Sequence, residues 1–262
     1  MADDPILFER RDAVAWITLH RPEVKNAINA EMRELLLEAL RTIEEDAGLR
    51  CVVLTGAGDG FCSGADLSSS PGGPRAPGSV ADMIRGGVQR VFRALWELEV
   101  PTIAAVNGVA AGFGSHRALA CDLVIASEGA RFIEVFARRG LAPDGGGAYL
   151  LPRLIGLAKA KELVFFADPV APVDAERMGL INRVVPDNRL EEAAMEWATR
   201  LAAGPTRALG LAKRLLNRSL ESDLSTALEE EALAQELVTN TDDLRERLAA
   251  FREHRDPRFT GT

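Results

Sequence analysis

Aromatic side chains are scarce in this chain of 262 residues, at 5% of the total with a single tyrosine. Cysteine and histidine are scarcer still, three of each. Cys51, Cys62 and Cys121 fall in strands or tight turns without metal-ligand spacing, so they read as buried thiols of a cytosolic protein. His20, His116 and His254 lie far apart, which excludes a local histidine metal motif. No Gly-Lys-Ser/Thr occurs, and Gly56–Gly60 lacks the spacing of a dinucleotide fingerprint ahead of a clear helix. No apolar run approaches the ~20 residues of a bilayer-spanning helix, so no membrane partner is expected. The first residues, MADDPILFERRD, are acidic and lack the apolar core of a secretion signal, and the expected location is the cytoplasm. A net charge of −8 argues against a nucleic-acid partner. It does not exclude an anionic small ligand, because a few local Arg and Lys override the global sign.

What is present is apolar surface and a regular order of elements. The chain is 47% hydrophobic, enough for a sizeable core. Ala13–Leu19 reads as a strand, Asn29–Asp46 as an amphipathic helix with Asn29 at its N-cap, and Cys51–Thr55 as a second strand. A Ser/Pro/Gly-rich stretch over 68–78 is expected as a loop, and Ser79–Glu97 as a helix. Further strands are expected at Thr102–Val106, Leu123–Ala126, Arg131–Glu134 and Ile181–Val185. Helices are expected at Gly156–Ala167 and Asp174–Met178, and only helical patterns follow Leu190. Strand–helix units followed by a helical tail predict an α/β fold with parallel pairing. The expected division is an α/β core over 1–200 and a C-terminal helical region over 201–262.

The most informative stretch is TIAAVNGVAAGFGSHRALACDLVIAS, from Thr102 to Ser127. It reads as strand, glycine turn, short helix, strand. A helix that starts after a Gly-rich turn presents free backbone N–H groups at a positive dipole end. Such a place suits a negative charge that develops during a reaction. A comparable turn follows Cys51–Thr55, in the run GAGDGFCSGADL. Two strand ends of this kind can aim two N–H groups at one oxygen.

VVLTGAGDGFCSGADL together with AAVNGVAAGFG and ALACDLVIAS resembles the crotonase, or enoyl-CoA hydratase/isomerase, superfamily. Arg21-Pro22-Glu23-Val24-Lys25-Asn26-Ala27 is similar to its opening motif, and Gly140-Leu141-Ala142-Pro143-Asp144-Gly145-Gly146 to a later one. The four motifs occur in the family's order and span nearly the whole chain. The resemblance implies a spiral of ββα turns, with C-terminal helices that help to form homotrimers, often paired into hexamers. It implies an acyl-CoA thioester as substrate, with no cofactor besides the coenzyme A carried by that substrate. The implied oxyanion donors are the N–H groups of Ala65 and Phe113. Loss of one such donor typically costs ~3–4 kcal/mol. Lys25 falls where the family holds the CoA phosphates. Ser63, Ala65, Asp66 and Leu67 match the strip along the adenine, and Gly112 and Phe136 fall beside the acyl group.

Hydratases of this family use two glutamates, and this chain departs at both. The first place is taken by His116 and the second by Phe136. One carboxylate is left in the motif, Asp144, which a subset similar to epoxyphenylacetyl-CoA isomerase and enoyl-CoA isomerases also has. Moving a double bond needs one base and no water, so Asp144 suffices for an isomerase. An apolar setting with Phe113 and Phe136 is expected to raise its pKa. His116 is the alternative acid or base, with a reference pKa of ~6.5. Glu128 and Glu134 fit surface turns, although Glu134 lies close enough to the site in sequence to be an outside candidate for a role there. Two other readings stand beside the isomerase: a hydratase that uses His116 or Asp144 on water, and an acyl-CoA-binding protein with little catalysis.

Overall fold

The computed structural model describes residues 4–66, 68 and 76–262. The sequence pattern puts the first strand at Ala13–Leu19, but pairing begins earlier. Strand β1 (Ile6–Arg11) runs antiparallel to β2 (Val14–Leu19). Its outer residues are charged and mostly solvated, so it carries no clean apolar alternation. From β2 onward the pairing is parallel, through β3 (Cys51–Gly56), β5 (Thr102–Val106), β7 (Leu123–Ser127) and β9 (Arg183–Val185), in the order β1-β2-β3-β5-β7-β9. Three short strands, β4 (Gly60–Cys62), β6 (Val109–Ala111) and β8 (Arg131–Ile133), form a second parallel sheet. Each follows a long strand and precedes a helix, so the chain winds as repeated ββα turns.

A parallel sheet is covered on both faces, and its strands are apolar on both sides. Val52 and Leu54 of β3 face the cluster that holds Met32, Leu36, Leu40 and Ile43 of helix Ala30–Glu45. Cys51 and Val53, one residue out of phase, face Ala193, Ala194 and Ala198 of helix Leu190–Ala202. The helix at Ala30 starts where Asn29 accepts a hydrogen bond from Met32 N at 2.8 Å, as the sequence predicts. The expected helix over Ser79–Glu97 forms in full, with one turn widened to the π form at Ile84–Val88. Most of the Ser/Pro/Gly-rich stretch, residues 69–75, lies outside the described residues.

Three helices close the chain, Thr206–Ser219, Leu224–Thr239 and Asp242–Glu253. They are tied back by polar groups. Arg50 Nε donates to Thr206 Oγ1 at 2.8 Å and its Nη1 to the Phe259 carbonyl at 2.9 Å. Lys213 Nζ lies 3.0 Å from Asp122, which also accepts from Thr102 N at 2.8 Å. Among the described residues no helix is long and apolar enough to cross a membrane.

All three cysteines are free and buried. Burial pushes the Cys51 and Cys121 thiols up to about 12 and raises Cys62 as well. A thiol-reactive chromogen at pH 8 should therefore find no reactive cysteine in the native protein and three after denaturation. Stoichiometric native labelling would contradict this packing.

Candidate active site

The short second sheet delivers the site. β4, β6 and β8 run parallel, and their C-terminal ends lead directly into residues 63–66, 112–113 and 134–136. Sites in parallel sheets form at this edge, where the strands end and the chain turns.

The first segment is held from one side. Ser63 N donates to the Lys25 carbonyl at 2.9 Å and Ser63 Oγ to the Val24 carbonyl at 3.0 Å. Ile28 N donates to the Gly64 carbonyl at 2.8 Å, and Asp66 N to the Ile28 carbonyl at 2.9 Å. Ala65 sits between these bonded neighbours, and its own N–H takes no part in the pairing. Asn26, fully buried, locks the same corner. Its Nδ2 donates to the carbonyls of Ala57 and Gly60 at 2.9 and 2.7 Å, and its Oδ1 accepts from Arg21 N at 2.8 Å. Lys25 is half exposed, with Nζ 3.3 Å from Asp59. Asp66 is paired with Arg21 at 2.8 Å and accepts from Ser68 Oγ at 2.6 Å. These bonds, Ser68 foremost, lower its pKa to about 2. Leu67 lies outside the described residues.

The second segment turns on Gly112. Its φ of +52° with ψ of −121° is a backbone region open only to glycine, and its N–H is fixed to the Ile133 carbonyl at 2.8 Å. Phe113 then opens the helix Phe113–Ala120, so its N–H has no partner within the helix. A Cβ on Gly64 would stand 3.9 Å from Phe113 N. The two predicted donor loops thus abut, one residue from Ala65.

Asp144 precedes a glycine run that is pressed onto three rings. Added Cβ atoms at Gly145, Gly146 and Gly147 would collide with the rings of Phe113, Phe92 and His116, at 2.5, 2.2 and 2.0 Å. Only glycine lets the loop lie so close. Asp144 Oδ1 is buried without a hydrogen-bond partner. Desolvation raises the pKa of this carboxyl, and nearby His116 opposes the shift.

His116 is enclosed. Its Nδ1 lies 2.6 Å from the Asp144 carbonyl and its Nε2 2.7 Å from Glu134 Oε2, while Phe136 stacks on the ring at 5.2 Å. Ser115 Oγ donates to Glu134 Oε1 at 3.2 Å. Glu134, expected on a surface turn, is instead buried at 4% exposure. It follows β8 directly and is buried against His116 and Ser115, which the winding of the chain brings beside it. The other unforeseen charge is Arg117. It is buried, stacks over the Phe113 ring at 4.3 Å, and leaves Nε and Nη2 without partners. Only its place four residues after Phe113 on a helix hinted at this contact.

Residues 9–262 match the family model described as enoyl-CoA hydratase/isomerase. The chain belongs to the enoyl-CoA hydratase/isomerase family. It is 41% identical over 260 residues to the 1,2-epoxyphenylacetyl-CoA isomerase of Escherichia coli, with 98% of each chain covered. It is 36% identical over 251 residues to the short-chain-enoyl-CoA hydratase of Clostridium acetobutylicum, with 95% of each covered. The crystal structure of enoyl-CoA hydratase from Bacillus anthracis superposes with a TM-score of 0.92 at 36% identity, covering 98% of this chain and 100% of that one. The protein is therefore an enzyme of the acyl-CoA hydratase/isomerase type, and its relatives carry both names.

The raised pKa of Asp144 has a sign. Its carboxylate is disfavoured in the fold, so above the folded pKa it costs stability, and the cost vanishes below the unfolded value of ~3.9. The substitution Asp144→Asn should raise the melting temperature at pH 7.5, with the gain shrinking as pH falls towards 4. A lower melting temperature at pH 7.5 would contradict the desolvated carboxylate.

Proposed function

We propose that this enzyme is an enoyl-CoA double-bond isomerase with Asp144 as its single proton carrier. The observation that carries the reading is the half-buried Asp144 carboxyl, next to a glycine packed on the Phe113 ring, with one oxygen lacking a donor. The places of the family's two hydratase glutamates are taken by His116 and Phe136. The thioester oxygen accepts from the N–H groups of Ala65 and Phe113. The Asp144 carboxylate takes a proton from the carbon between carbonyl and alkene in a 3-enoyl thioester. The electrons move into an enolate whose oxygen the two amides hold. The carboxylic acid then returns the proton at the γ carbon, which leaves a conjugated 2-enoyl thioester and an ionised Asp144. Nothing is consumed, and coenzyme A arrives with the substrate, so no further cofactor is required.

Lys25 is assigned to the CoA phosphates. Ser63 and Asp66 are assigned to the adenine side, where Asp66 contributes through its backbone because Arg21 occupies its carboxylate. Gly112 and Phe136 line the acyl side. Water addition is the second reading, supported by the hydratase names among the relatives. Incubation with a 3-enoyl-CoA should give a rise in conjugated-thioester absorbance, and Asp144→Asn should lower that rate by about 10²–10⁴-fold. Hydration of a 2-enoyl-CoA without any 3-to-2 shift would replace the isomerase by the second reading. Tight CoA binding with no turnover would leave a binding protein.

Self-association is part of this proposal. Leu216, Leu224, Leu228, Leu237 and Phe251 of the last three helices are largely exposed, and Leu216 and Leu228 line a groove with Ala212 and Leu215. Apolar surface of this extent on a tail marks an interface. Light scattering should give the mass of a trimer or hexamer of 28.2 kDa chains, and a monomer would refute the interface.

A further inference from the structure

We propose that Glu134 and His116 form a positioning pair that fixes the Asp144 peptide and holds the charge of the ring close to the Asp144 carboxyl. The inference rests on the isomerase reading of Asp144. Hydrogen-bond chemistry fixes the proton positions. A peptide carbonyl only accepts, so His116 Nδ1, at 2.6 Å from the Asp144 oxygen, carries hydrogen. Nε2 faces a carboxylate oxygen at 2.7 Å, so a second proton lies between ring and Glu134. Burial alone would pull the ring's pKa down, but Glu134 and the Asp144 carbonyl together raise it. With that second proton on Nε2, the ring is an imidazolium clamped between Glu134 and a carbonyl.

This arrangement removes His116 from direct proton transfer. Both nitrogens are engaged, one ring face is covered by Phe136, and the side chain has no exposure. Its influence reaches the substrate through Asp144 in two ways. The ring donates to the Asp144 carbonyl, which otherwise accepts only a longer bond from Gly147 N at 3.2 Å. The ring also underlies the loop at Gly147, so its position sets how the loop lies. Glu134 and Asp144 are the charged groups that act on the ring, and the ring is the charged group that acts on Asp144. A cation beside the carboxylate favours its ionised form, which is the form that accepts a proton.

The test separates positioning from mere packing. Removal of one partner strands a buried charge, whereas replacing a buried pair by apolar residues of similar volume is often neutral or stabilising. The double variant H116L/E134L should therefore fold and melt at or above the wild-type temperature. With a 3-enoyl-CoA its kcat should fall about 10²-fold, as small misplacements of a reacting group do, while KM changes less than threefold. The acid limb of its kcat–pH profile should move to higher pH, because the cation that favoured ionised Asp144 is gone. In H116N/E134Q the carboxamide nitrogen at position 116 takes the place of Nδ1 and no charge is stranded, so most of kcat should return while the acid limb stays displaced. Wild-type kcat and an unmoved limb in the double variant, with Asp144→Asn inactive, would overturn the positioning pair alone. An Asp144→Asn variant that still isomerises would overturn the isomerase reading and the pair with it. Should H116L/E134L not fold, an unmoved limb in H116N/E134Q overturns the pair.

Discussion

The protein holds a carboxyl group half-dehydrated at the end of a loop, with one oxygen given no donor. In a fold of this size nearly every buried polar atom finds a partner, because an unmet one costs about 1–3 kcal/mol. The surroundings of Asp144 are arranged to sustain that exception. Three glycines bring its loop onto the rings of Phe113, Phe92 and His116 so closely that no side chain fits between. The loop cannot shift to expose the carboxyl without losing those contacts.

The donor side of the site follows from the second sheet. Three-residue strands contribute little stability of their own, yet they place three chain segments at one edge. The segment before the helix Ala30–Glu45 then acts as a template. By bonding to Gly64 and Asp66 through Ile28, it leaves the intervening Ala65 amide unused on that side. Gly112 does the corresponding work for Phe113 with a backbone turn. In the proposed oxyanion site neither donor depends on a side chain, so bulky Phe113 can stand at one of the two places while its ring supports the Asp144 loop.

Much of the large sheet was legible because its strands are apolar runs flanked by glycine, and the helix at Ala30 because a capping Asn precedes a clear amphipathic pattern. β4 and β6 are too short for any periodicity to register and β1 is too solvated, whereas the strand expected at Arg131–Glu134 forms as β8. The donor loops were legible through motifs rather than through periodicity. Glu134 was assigned to a surface turn because acidic residues beside short strands are usually solvated. What buries it is His116, a partner eighteen positions earlier in the chain that only the winding of β6, helix and β8 brings near. Pairing of that range leaves no local trace.

Burial of an imidazolium with a carboxylate is a poor way to gain stability, since apolar residues of the same volume do as well or better. Such a pair makes sense where its charge or its direction is used. Here the direction is fixed by the Asp144 carbonyl and the charge lies beside the Asp144 carboxyl. Desolvation pushes that carboxyl towards the neutral form and the imidazolium pushes it back. The proposed isomerase, which would borrow and return one proton, needs both forms of its carboxyl within easy reach of each other. The opposed effects of burial and of His116 supply that balance without a second acid in the site.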